Sequence, residues 1–145
     1  MVRNCTFPPR SPMKWFHLAV GILLFIAFCV TGRMMRLDFP DKDLMPQDLR
    51  ILARSRHIYI LFNSLIWLAL GVYFRSSPRV WQRIFQMIGS LTLLLAAAHL
   101  VWGWYLESYE IGHFSDISRW GIYLSLAGVG FHLIGGIGSG RSSSA

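Results

Sequence analysis

Four long apolar runs limit what this 145-residue chain can fold into. They are WFHLAVGILLFIAFCVTG (15–32), HIYILFNSLIWLALGVYF (57–74), IFQMIGSLTLLLAAAHLVWGWY (84–105) and WGIYLSLAGVGFHLIGGIG (120–138). A helix needs about 20 apolar residues to cross the hydrocarbon core of a bilayer, and each run has about that length. Only 14% of the chain is charged and 54% is hydrophobic, whereas soluble domains are roughly 25% charged. A chain this short cannot hide that much apolar surface in one core. The expected fold class is all-α, an integral membrane antiparallel four-helix bundle. One transmembrane domain would cover 15–138, after a polar leader (1–14) and before a flexible Gly/Ser-rich tail (139–145).

Run one reads as a retained anchor. Its core exceeds the roughly 7–15 residues of a signal-peptide h-region, and no small-residue cleavage site follows. Pro8, Pro9 and Pro12 argue for a non-helical leader. In the longest connection, Asp43 and Pro46 suit a helix start that runs on into span two. The fourteen Lys and Arg residues split evenly between the two sides of such a bundle, while all seven acids fall on one side. The acid-free cluster Arg75, Arg79 and Arg83 favours both termini inside the cell. Net charge is +7, but the basic residues lie between apolar runs. They therefore point to lipid headgroups and not to nucleic acid. Trp15, Trp81, Trp102, Trp104 and Trp120 lie near span ends, as interface anchors do.

Each run carries one histidine. Because span direction alternates, His17 and His132 fall toward one membrane face, and His57 and His99 toward the other. Two imidazoles at one depth on different helices are the minimum geometry for a bis-histidine site. Haem b is one fitting cofactor, with His17/His132 and His57/His99 as iron ligands. Small residues accompany three of these histidines: Gly89, Thr92, Ala96 and Gly103 in run three, Gly121, Ser125, Gly128 and Gly135 in run four, and Gly21 in run one. Arg56 and Arg119, with Arg54, could meet haem propionates or anionic lipid at the His57/His99 end. Lys14 and Arg141 could do so at the other. The plainer reading is equally physical: small residues let membrane helices pack closely, and histidines bridge them by hydrogen bonds.

Other polar residues have bland expectations. Asn63 suits an interhelical hydrogen bond. Tyr59 and Tyr123 suit packing or the interface. Glu107, Glu110, His113 and Asp116 suit a solvated loop, with a proton-relay role for Glu107 as the sharper option. Met34, Met35 and Met45 near the His57 end are soft metal ligands by type, but their spacing is irregular and apolar contact is the simpler role. Cys5 and Cys29 flank run one and would lie on or near opposite sides of the membrane, too far apart for a disulfide. No charged residue occupies the centre of a run, which argues against a pump or channel. No hydrolase, zinc-protease or nucleotide-binding motif is present, so nothing supports an enzyme acting on a soluble substrate.

The segments TGRMMR, RSRHIYILFNSLIWLALGVYF and RWGIYLSLAGVGFHLIGG together resemble a type of small bacterial inner-membrane protein with four spans. The resemblance implies that architecture and location, and no particular reaction. In layout alone the chain is also similar to four-helix b-type cytochromes. Three functional expectations follow. The first is a structural or accessory membrane subunit, working within the bilayer or a larger membrane complex. The second is a transmembrane b-type haem protein passing electrons, with quinone as a candidate partner. The third is a metal-handling membrane protein.

Overall fold

The computed structural model describes residues 12–38, 46–107 and 116–137. Among them all regular structure is helical: α1 (Pro12–Asp38), α2 (Gln47–Tyr73), α3 (Val80–Glu107) and α4 (Asp116–Gly136). At about 1.5 Å per residue, the first three are roughly 40 Å long and α4 roughly 31 Å. The first three are long and apolar enough to cross a membrane. α4 is not among them, although the sequence led us to expect four spans. Its length suffices, but its inward stripe is Ser118, Gly121, Ser125, Gly128, His132 and Gly135, which dilutes its hydropathy.

The helices begin earlier or run longer than the apolar runs. α1 starts at Pro12, inside the expected polar leader, because proline suits the first helical position, where its missing N–H is no loss. It then continues past Gly32 to Asp38. α2 starts directly after Pro46, whose carbonyl accepts the Arg50 N–H at 3.2 Å, and it passes without a break into the second apolar run. Asp43, Lys42, Met45, Cys5, Glu110, His113 and Arg141 lie outside the described residues.

Two helical hairpins make the bundle. α1 packs along α2 and α3 along α4, and the hairpins meet chiefly through α2 and α3. Glycines bring the axes together. A Cβ on Gly71 would lie 2.9 Å from the Leu18 backbone nitrogen, and one on Gly89 would lie 2.9 Å from the Gly128 carbonyl oxygen. The interior alternates apolar and polar layers. One apolar layer is Leu24, Trp67, Leu93 and Ala97, and the other is Ile60, Leu100 and Trp104. Met34, Met35 and Tyr59 pack against the second layer as ordinary apolar contacts. Trp15, Trp81, Trp102 and Trp120 are exposed, as expected of anchors, but Trp104 is buried. It lies two residues past Trp102, about 200° around the helix, and so faces the core with Leu100 and Ile60 of α2.

Candidate functional site

Polar side chains in α3 build the first site. Gln82, Gln86 and Ser90 recur every four residues and so share one face. Gln82 Nε2 donates to the Ile137 carbonyl at 2.6 Å, and Gln86 Nε2 to those of Arg75 and Gly135 at 3.0 and 3.3 Å. Ser77, in the α2–α3 connection, donates its hydroxyl to Gln82 Oε1 and its backbone N–H to Gln86 Oε1. The ladder ends at Ser90, whose hydroxyl donates to the Gln86 carbonyl at 3.0 Å.

His17 and His132 meet on that hydroxyl. His17 Nε2 lies 2.8 Å from Ser90 Oγ, His132 Nε2 lies 3.2 Å from it, and the ring centroids are 5.6 Å apart. Ser90 Oγ is thus the common partner of both Nε2 atoms and of the Gln86 carbonyl, and its single hydroxyl proton can be given to only one of them. The residues packed around the pair are aromatic: Trp67 and Phe74 stand 5.2 and 4.9 Å from the His17 ring, centroid to centroid. Gly89 makes room, since a Cβ there would lie 2.8 Å from His132 Cδ2. The sequence-based pairing of His17 with His132 thus brings together two residues that do meet. What holds them is a serine that the sequence reading passed over.

The other expected pair is not brought together. His57 Nδ1 donates to Thr31 Oγ1 at 3.0 Å, and Thr31 in turn donates to the Phe28 carbonyl. The Phe28 ring stacks on the imidazole at 4.1 Å. His99 Nδ1 donates to the carbonyl of Leu95, one turn back on α3, at 2.8 Å. The expected equal depth was not met: Ile60 of α2 packs with Leu100 and Trp104, and Arg56 reaches Glu107, so His57 lies nearer the end of α3 than His99 does. His57 belongs to the α1–α2 hairpin. The seam of α3 runs through Gly89, Leu93, Ala96, Leu100 and Gly103, which leaves His99 at its edge.

Arg56 and Arg119 also have partners within the protein. Arg56 is buried and forms an ion pair with Glu107, Nε to Oε2 at 3.8 Å, while its Nη1 donates to the Glu107 carbonyl. Glu107 Oε1 accepts the Ile117 N–H at 2.9 Å, and Oε2 accepts the Ser118 hydroxyl at 2.7 Å and its N–H at 3.3 Å. The expectation of a solvated Glu107 is therefore corrected. The last residue of α3 caps the first turn of α4, whose N–H groups lack intrahelical acceptors, and Arg56 of α2 neutralises it. Arg119 instead pairs with Asp116 at 2.8 Å on the exposed surface. Midway along the bundle Asn63 Nδ2 donates to Ser125 Oγ at 2.7 Å, as expected of an interhelical bond.

The geometry does not support haem. Ser90 occupies the point on which both Nε2 atoms converge, and Trp67 and Phe74 pack beside the His17 ring. His57 and His99 do not face each other. Among the described residues no three His, Cys, Asp or Glu side chains form a cluster able to hold a metal ion. Comparison with protein-family models, curated proteins and solved structures finds no match for this chain.

Proposed function

We propose that this chain is a multi-pass protein of the bacterial inner membrane, with all four helices crossing the bilayer and both termini inside. Its role in this reading is structural: it is an accessory subunit that supplies a rigid four-helix element to a larger membrane assembly. The resemblance of its TGRMMR, RSRHIYILF and RWGIYLSLAGVGFHLIGG segments to small four-span inner-membrane proteins agrees with this placement. So do the large apolar side chains exposed along the outer faces of the helices.

One observation carries the proposal. Most polar groups in the interior are used to join helices, although His132 also borders a groove of about 340 Å³ beside Leu70, Tyr73 and Val129. His17–Ser90–His132 ties α1, α3 and α4. Asn63–Ser125 ties α2 to α4, and Arg56–Glu107–Ser118 ties α2, α3 and α4. Thr31–His57 and the Ser64 bond to the Gly21 carbonyl tie α1 to α2. With no water in a bilayer core, such bonds satisfy polar groups inside the protein, while Asn63 Oδ1 and Trp67 Nε1 have no partner among the described residues.

Alkaline carbonate extraction, a C-terminal reporter fusion and native electrophoresis in mild detergent test this reading. A carbonate-resistant chain with its C-terminus inside, migrating in a defined species larger than its 16.6 kDa monomer, is the expected result. Release by carbonate overturns the membrane reading. A monomer that carries a stoichiometric chromophore overturns the accessory role.

A further inference from the structure

Among the described residues His99 makes no hydrogen bond to another helix. It stands at the edge of the α3 seam and lines an open groove of about 400 Å³ with Ala98, Trp102 and Ile117. Its position is eight residues before the end of α3, about 12 Å at 1.5 Å per residue. In a bilayer-spanning α3 of roughly 40 Å this lies within the hydrocarbon zone. The volume falls in the range of small-molecule sites, about 300–1,000 Å³.

The hydrogen bonding of His99 defines what the groove can accept. The Leu95 carbonyl has no proton to give, so Nδ1 must donate to it. In a neutral imidazole the other nitrogen, Nε2, then carries a lone pair and can only accept. Among the described residues Nε2 has no partner, and inside a bilayer an unpaired polar atom is unfavourable. The partner must bring an O–H or N–H. A second copy of this chain docking His99 against His99 does not satisfy that need, because two acceptors would face each other. Three residues away on the same helix face, the largely exposed Trp102 presents an indole wall, and aromatic rings stack on such a surface. Ala98 and Ile117 supply the apolar remainder.

We propose that this groove binds a membrane-soluble phenol or hydroquinone, whose hydroxyl donates to His99 Nε2 while its ring packs on Trp102. The inference goes beyond the accessory role but rests on the membrane placement, because the ligand arrives through the lipid. It carries a chemical selectivity. A hydroquinone has the required donor, while the corresponding quinone offers only carbonyl acceptors and is rejected.

The test uses the full chain in lipid nanodiscs with a diazirine-bearing alkylphenol as photoprobe, mapped by mass spectrometry. The expected result is saturable labelling near residues 98–102 and 117. 4-Nonylphenol and an alkylhydroquinone should compete for it. 4-Nonylanisole, which lacks the hydroxyl proton, and the matching quinone should compete about tenfold less well, as loss of one hydrogen bond implies. His99→Leu should weaken labelling by a similar factor, and His99→Gln, which keeps an acceptor oxygen, should weaken it less. Labelling spread without saturation over the outer faces, or equal competition by phenol and anisole, overturns the proposal. Failure of the chain to remain in nanodiscs overturns the membrane reading first and removes the lipid route with it. That outcome is distinct from a properly inserted chain that labels non-specifically.

Discussion

Ser90 joins α1, α3 and α4 through a single hydroxyl. Replacing it with alanine removes the hydrogen-bond partner of two buried imidazole Nε2 atoms. Interhelical hydrogen bonds in membranes average about 0.6 kcal/mol with a maximum near 1.7, so losing both should destabilise the bundle by about 1–2 kcal/mol. Steric-trapping unfolding in bicelles measures this. A double-mutant cycle with His132→Leu should show coupling, and strictly additive losses would mean that the hydroxyl does not hold the rings. Thr31→Val at the His57 contact should cost less, about 0.5 kcal/mol, because that ring keeps its Phe28 stacking.

At the scale of helices, two kinds of contact hold the elements in place: glycine-mediated approach and the cap of α4. A methyl on Gly89 would meet both His132 and the Gly128 carbonyl, so α3 and α4 would have to separate. Gly89→Ala should lower stability by about 1–3 kcal/mol, read as a fall in detergent melting temperature, whereas Gly136→Ala, with open space around it, should be near neutral. Glu107 holds the α4 start through three donors and pairs with buried Arg56. Removing one partner of a buried ion pair costs about 3–5 kcal/mol. Arg56→Ala should therefore destabilise more than Ser90→Ala, and adding Glu107→Ala should cost less than its effect alone. Equal effects of Arg56→Ala and Ser90→Ala would count against a buried ion pair.

For the whole molecule, the haem alternative has its own measurement. Purified protein expressed with ample haem precursor should show no reduced-minus-oxidised α or Soret band, because Ser90 fills the space between His17 and His132. Bands that disappear in His17→Ala and His132→Ala would refute the closed arrangement described here.

The sequence by itself determined how many helices form and where their apolar stretches lie. These are properties of length, hydropathy and alternation of direction, and they are local. They sufficed to match His17 with His132 and to expect a bridging role for Asn63. The Gln82–Gln86–Ser90 spacing is also legible as one polar face, at a four-residue period that begins just before run three. Only the tertiary structure decided which way each helix turns about its own axis. A rotation of one residue, about 100°, moves His99 off the α3 seam and carries Trp104 into it. Hairpin pairing then gives His57 to Thr31 and Phe28, and folds Glu107 back onto the start of α4. Position along a helix follows from counting residues, but the stagger between helices, their rotation and the choice of partners follow from packing among helices distant in sequence.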